Sequence, residues 1–221
     1  MSSASANPAG KKGYHHGALQ SALVEASIAL AREGGPDRVV LREAARLAGV
    51  SHSAAYRHFA DRDALLAEVS RYARAELADE MRRRVNRSTN PRKRLQAVGV
   101  AYIDFALHQP GLFRAAFTSH PATADENRSD AADAESPGAP EPFEVLGQVL
   151  DEAQAAGLLN PNRRPGAEVA VWSAVHGLAC LLLDGPLPTT AAAVKFATGQ
   201  VFDLIENGLL KNSYGDPDEQ T

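Results

Sequence analysis

One cysteine, Cys180, stands among 221 residues, and that scarcity excludes two kinds of scaffold. No intrachain disulfide can form. No CxxC or HxxxH spacing supplies the ligands of a zinc centre, so no metal is expected. A reducing cytoplasm suits this cysteine usage. Long apolar runs are also missing. The longest, Val169 to Leu183, contains Ser173, His176 and Gly177 and is shorter than the roughly 20 residues a membrane helix needs. It reads as a buried helix, and no membrane partner is expected. Met1 to Gly10 have no apolar h-region, so no signal peptide is expected. Strict apolar–polar alternation, the mark of half-buried strands, is absent, and so is any internal repeat. Finally, no paired carboxylates and no nucleophile–base set are visible. The nearest pair, Asp104 and His108 at i, i+4, lacks a nucleophile. No catalytic residue and no cofactor are expected.

What is present is helical periodicity almost throughout, which gives an all-α reading with about nine helices. The first helix runs from about Gly17 to Glu33, with Leu19, Leu23, Ala26 and Leu30 on one stripe. Gly34-Gly35-Pro36 stops it. The second covers about Leu41 to Ala48 and ends at Gly49, which can take a left-handed conformation. A third follows Ser51, a candidate N-cap, and reaches about Phe59. The fourth extends from after Asp61 to about Val85, and the fifth from Asn90-Pro91 to His108, with Pro91 in a tolerated first-turn position. A short sixth starts at Pro110. Residues 119–141 hold almost no large apolar side chain and read as a loop. The seventh spans about Pro142 to Ala156, the eighth Gly166 to Leu183 and the ninth Thr189 to Leu210. The ninth carries Val194, Val201, Ile205 and Leu209 on one side and Phe196 and Leu204 elsewhere. A helix apolar on more than one side usually has two partners, here its own core and a twin subunit. The expected division is an arm over 1–13, a first domain over 14–65, a second over 66–212 and a tail over 213–221.

Net charge is −4, but it is unevenly spread. Residues 1–65 hold eight Lys and Arg against six Asp and Glu, and the remainder fifteen against twenty-one. A mildly basic head on an acidic body points to an end that faces nucleic acid. Lys11, Lys12, His15 and His16 read either as an arm near the minor groove or as a solvated tail. The run Arg82-Arg83-Arg84 with Arg87, Arg92, Lys93 and Arg94 reads better as charge complementing the end of the fourth helix than as a nucleic-acid patch.

The informative stretch is Leu41 to Leu66. Two short helices joined by Gly49-Val50-Ser51 form a helix-turn-helix. Glycine allows the sharp turn, and Val50 plugs the space between the helices. The second helix is small on its inner face (Ala54, Ala55) and presents His52, Ser53, Tyr56, Arg57 and His58 elsewhere. Such a helix can lie in a major groove. Gly49-Val50-Ser51, Tyr56-Arg57-His58-Phe59, Arg62 and Leu65-Leu66 resemble the TetR family of bacterial regulators. Tyr14-His15-His16-Gly17-Ala18-Leu19 and a late Trp172…His176-Gly177, followed by Leu181 and Asp184-Gly185, resemble one subgroup of it.

The resemblance implies particular roles. Tyr56, His58 and Arg62 would contact phosphates. Arg42 could reach a guanine. His52 and Ser53, next to the capping Ser51, would face base edges, and Ala54 could touch a thymine methyl. Arg57 joins this set, and Phe59 would be core. Val40 departs from the pattern, because it replaces the usual capping hydroxyl before the second helix. The implied partners are a double-stranded palindromic operator, an unidentified small-molecule effector and a second copy of the chain held through helices eight and nine. The implied activity is transcriptional regulation, repressing and relieved by the effector, in a bacterial cytoplasm and on the nucleoid when bound to DNA. Tyr102, Phe105, Phe113, Phe117, Phe143, Trp172 and His176 either line an effector pocket or are plain core. Cys180, one turn beyond His176, is by default a buried thiol. The rival readings are a helical small-molecule-binding enzyme and a docking module without DNA binding.

Overall fold

The computed structural model describes residues 12–118 and 141–210, with side chains from residue 18 onward. Among these residues are nine α-helices: α1 (Lys12–Gly34), α2 (Leu41–Leu47), α3 (His52–Ala55), α4 (Arg62–Val85), α5 (Pro91–His108), α6 (Pro110–Ala116), α7 (Pro142–Ala155), α8 (Ala167–Leu183) and α9 (Ala191–Leu209). Two 3-10 turns, Pro36–Arg38 and Pro161–Arg163, complete the described structure, together with an isolated antiparallel bridge, Leu159 to Leu210. The all-α expectation holds. No described helix is long and apolar enough to cross a membrane. The expected arm up to residue 11, the loop over 119–140 and the tail lie outside the described residues, as do the side chains of His15 and His16. Two boundaries differ from expectation. α1 starts at Lys12 instead of near Gly17. α3 is four residues long and closes at Ala55, well short of Phe59.

The chain divides into two compact units. Of the described residues, the first holds 12–72 and 111–118. Here α1 packs on α2, and α2 on α3. Leu23, Leu30, Val39, Leu41, Ala44, Ala45, Ala55, Phe59, Leu65, Leu66 and Val69 fill the core. Each fully buried leucine or phenylalanine contributes about 1.5–3 kcal/mol of apolar burial. Ser27 shares the buried stripe of α1 because its hydroxyl donates to Leu23 O at 2.7 Å, so no polar atom is stranded. α6 belongs to this unit, although the expected boundary assigned it to the second. Gly111 explains the placement. A Cβ there would lie 2.0 Å from Ala31 O, so only glycine lets α6 approach the end of α1 this closely. Ser70 Oγ donates to Ala116 O at 2.9 Å and holds the other end of α6.

The second unit holds the described residues 73–110 and 141–210. α5 is central and packs on α7 and α8, while α8 also packs on α9. Asn90 starts α5 by accepting the Lys93 N–H at 3.1 Å, with Pro91 in the first turn. Thr190 caps α9 in the same manner. α7 turns Val145, Leu146, Val149, Leu150 and Ala153 inward. The arginines that follow Met81 are tied to carboxylates. Arg82 reaches Asp79 at 3.7 Å, Arg83 Glu80 at 2.7 Å, Arg84 Asp104 at 2.6 Å and Arg94 Glu152 at 2.7 Å. These four arginines of the run are therefore ion-paired within the second unit.

Candidate DNA interface and an apolar recess

The corner between α2 and α3 is built from local chemistry. Gly49 has φ 69°, a conformation that costs a side-chain-bearing residue energy but not glycine. Ser51 then takes an extended conformation, and its hydroxyl accepts the Ala54 N–H at 3.2 Å. This is the expected N-cap. After Ala55 the backbone continues as a tight turn. The Arg57 and His58 N–H groups donate to Ala54 O at 3.2 Å and Ala55 O at 2.9 Å, three residues back. Tyr56, Arg57 and His58 therefore follow the helix on a turn of their own. This shortens the helix but keeps the ridge continuous.

Burial sorts the residues of this ridge. Ala55 and Phe59 are in the core, and Ala54 is buried too. Ala54 therefore packs mainly with the core and leaves little methyl surface for a duplex. Ser51, His52, Ser53, Tyr56 and Arg57 are exposed, and His58 is half-buried. His52 and Tyr56, one turn apart, meet edge to face at 4.7 Å. Arg42, exposed on α2, lines an open groove with Asp37, Arg38, Val40, Glu43 and Arg46. Glu43 and Arg46 are paired at 2.6 Å, and the hydrogen bond from Arg46 holds the Glu43 carboxyl below the usual range.

Arg62 has a task within the fold that the resemblance did not imply. Its Nε donates to Val39 O at 2.9 Å, and its Nη2 donates to Pro36 O at 2.7 Å. Val40, the residue before α2, offers no side-chain cap. The guanidinium thus braces the backbone leading into α2. Nothing within the sequence pattern pointed to this bond, because its partners are 26 and 23 residues away.

In the second unit the aromatic residues divide. Tyr102 on α5 and Trp172 on α8 meet edge to face with ring centres 5.0 Å apart, and Phe143 lies 5.8 Å from Trp172. The Tyr102 hydroxyl and His176 Nδ1 are hydrogen-bonded at 2.7 Å. Burial pushes the Tyr102 phenol well up and the His176 imidazole down, so both shifts favour the neutral forms. Met81, Val98, Gly99, Tyr102, Leu146, Val171, Trp172 and Val175 enclose a cavity of about 20 Å³, room for about one water. A second recess shares Gly99, Val171 and Val175 and ends at Phe202, Gln96 and Glu206. The other expected pocket residues are elsewhere. Phe113 and Phe117 lie in the first unit, edge to face at 5.2 Å. Phe105 lines a polar cleft with Glu80, Arg84 and Asp104. Cys180 is exposed, not buried, with Sγ 3.5 Å from His176 Nε2. Asp104 and His108 form no acid–base pair. The carboxylate binds Arg84, and His108 Nδ1 bonds the Asp104 backbone oxygen at 2.7 Å.

Comparison with known proteins bears on both units. Residues 23–69 match the profile described as bacterial regulatory proteins, tetR family. Residues 95–204 match the tetracyclin repressor-like C-terminal domain. The second description is general and does not single out a Trp…His-Gly subgroup. A Rhodococcus sp. RHA1 protein of unknown function has a similar structure, with TM-score 0.67 and 28% identity over 91% of this chain and 100% of its own. A TetR family transcription regulator from Marinobacter aquaeolei VT8 is similar at TM-score 0.59, with 19% identity over 91% of this chain and 100% of its own. The TetR family regulator PfmR from Thermus thermophilus gives TM-score 0.55 and 20% identity over 84% and 97% of the two chains. The last two likenesses establish the fold alone. No curated protein sequence matches. With both halves of the chain matched in their family order, the chain belongs to the TetR family of transcriptional regulators, which are DNA-binding proteins and not enzymes.

Proposed function

We propose that this regulator binds a palindromic operator as a homodimer, and that a small molecule held in the second unit weakens that binding. The observation that carries the DNA-binding part is the sorting around Ser51. A buried alanine pair anchors a very short helix, and every polar residue of the ridge except half-buried His58 is exposed. His52, Ser53 and Arg42 are the base readers in this reading. Tyr56, Arg57 and His58 meet phosphates, and the capped Ser51 sets the angle of entry. Arg62 acts at one remove, by fixing the approach to α2.

A single helix-turn-helix binds weakly, so a twofold assembly is needed to read two half-sites. α8 and α9 offer the surface for it. Val169 (60% exposed), Leu181 (46%), Phe196 (69%) and Leu204 (69%) are large apolar side chains that this chain leaves uncovered. Packing the two helices against their twins would cover them. The effector acts by linkage, since a molecule that prefers the DNA-incompetent spacing must weaken DNA binding. Repression relieved by ligand is the direction typical of the family, and the bacterial cytoplasm is the place of action.

The test is retardation of duplex DNA taken from around the protein's own gene. The expected result is a shift that weakens steeply with salt, as phosphate contacts release counterions. Absence of any shift at low salt, or a shift indifferent to salt, would falsify the assignment of this ridge.

A further inference from the structure

The recess between α4, α5, α7 and α8 carries more than its existence. Resting on the reading of the second unit as the sensing unit, we infer that the effector is an uncharged, mainly apolar aromatic molecule seated against Trp172, Tyr102 and Met81.

Three observations lead there. No lining residue is charged, and Met81, Val98, Leu146, Val171 and Val175 supply hydrocarbon on every side. No polar surface of the wall faces the cavity, and the Tyr102 hydroxyl is bonded to His176, so the wall makes no demand for a complementary polar group. The carboxylate at the far end of the adjoining recess is satisfied as well. Glu206 accepts from Gln96 on Oε1 at 2.6 Å and from Arg92 on Oε2. An ionised guest would lose its hydration and meet no free counter-charge, a cost that no apolar contact offsets. The aromatic character follows from the wall. Trp172 presents ring edges and faces between Tyr102 and Phe143, and offset or edge contacts with a third ring are favourable there.

The cavity is nearly closed at about 20 Å³, so a guest must open it. Met81 is the flexible member of the wall, with three rotatable bonds and a polarisable sulfur. Beyond Val175, the ring of Phe202 rests over Gly99, where a Cβ would meet it at 2.6 Å. A guest that extends past Val175 therefore displaces a side chain of α9.

The probe pair is N-phenyl-1-naphthylamine and 8-anilino-1-naphthalenesulfonate, which share one aromatic skeleton and differ by a sulfonate. Trp172 is the one tryptophan of the chain, so energy transfer from it places bound dye in the second unit, and loss of that signal in Val175→Phe separates the recess from the exposed Val169 and Leu181 of the same helix. The full-length protein is expected to bind the neutral dye with transfer from Trp172, and to bind the sulfonate at least about tenfold more weakly. Val175→Phe, which fills both recesses, should abolish neutral-dye binding, with folding checked by circular dichroism. Should that variant not fold, Met81→Ala, which widens the cavity, serves instead and should tighten binding. Equal affinity for the two dyes overturns the inference. So does neutral-dye binding without transfer from Trp172, or the absence of neutral-dye binding in both wild type and Met81→Ala. DNA retardation by the same preparation is read separately. If it fails while the dye pattern holds, the regulator reading falls and the ligand class stands. If the dye pattern fails while retardation persists, only the ligand class falls.

Discussion

Val40 brings no oxygen to the start of α2, and the carbonyls just before it are held by Arg62 from across the unit. By resemblance, position 62 supplies a phosphate contact. The geometry gives it a bridging task, which needs the fork of a guanidinium and not only its charge. Arg62→Ala should therefore weaken operator binding while leaving the slope of affinity against salt unchanged. Arg62→Lys should not restore it, because one ammonium cannot reach both carbonyls with the same geometry. Arg57→Ala, by contrast, should reduce the slope by about one ion. Fluorescence anisotropy across a salt series separates the two. At this scale the sequence was readable wherever the cause was local. Gly49 and Ser51 follow from turn and cap chemistry within a few residues, and the resemblance implied Phe59 as core. Arg62 was not readable, because its partners come from a distant turn. Ala54 was ambiguous because small residues suit an inner face and a groove equally well, and packing decides between them.

Among the elements, α6 shows how a single missing Cβ lets two helices approach closely. Periodicity located the helix at Pro110 but said nothing of which neighbour it would meet. The close approach at Gly111 and the Ser70 bond settle that. α3 shows the reverse, a pattern that continues as a ridge after the helix has ended in a tighter turn. The link between α5 and α9 carries a pH signature. Burial works against ionised Glu206, but hydrogen bonds from Arg92 and Gln96 outweigh it and hold its carboxyl below the usual range. A lowered folded value means that the stabilisation is complete above the unfolded carboxylate pKa of about 4.3 and is lost as pH falls through the folded value. Glu206→Gln should lower the unfolding midpoint at neutral pH. The gap between variant and wild type should close in acid, below that lowered value. Thermal melts over a pH series check this, and a gap that persists in acid would show that the pair acts through packing alone.

For the molecule as a whole, the uncovered apolar side chains of α8 and α9 matter most. On α9, Leu209 is buried, Val194, Val201 and Ile205 are half-buried, and Phe196 and Leu204 are exposed, so apolar side chains remain uncovered on the side away from the core. On α8, which the resemblance placed beside it in the pairing, Val169 and Leu181 are exposed as well. A specific dimer buries about 800 Å² per partner, and charge placed at its centre is costly. Phe196→Glu should yield a monomer in sedimentation and lose operator binding, since each half-site alone holds too weakly. A Phe196→Glu protein that remains dimeric would move the interface elsewhere.

The claim on which everything turns is that the ridge after Ser51 enters the major groove twice per assembly. Hydroxyl-radical footprinting of the bound operator reads this directly. The account predicts two protected patches related by a twofold axis and centred about 34–36 Å apart on one face of the duplex, both lost in His58→Ala. A single protected patch, or an unchanged pair in that variant, would contradict it.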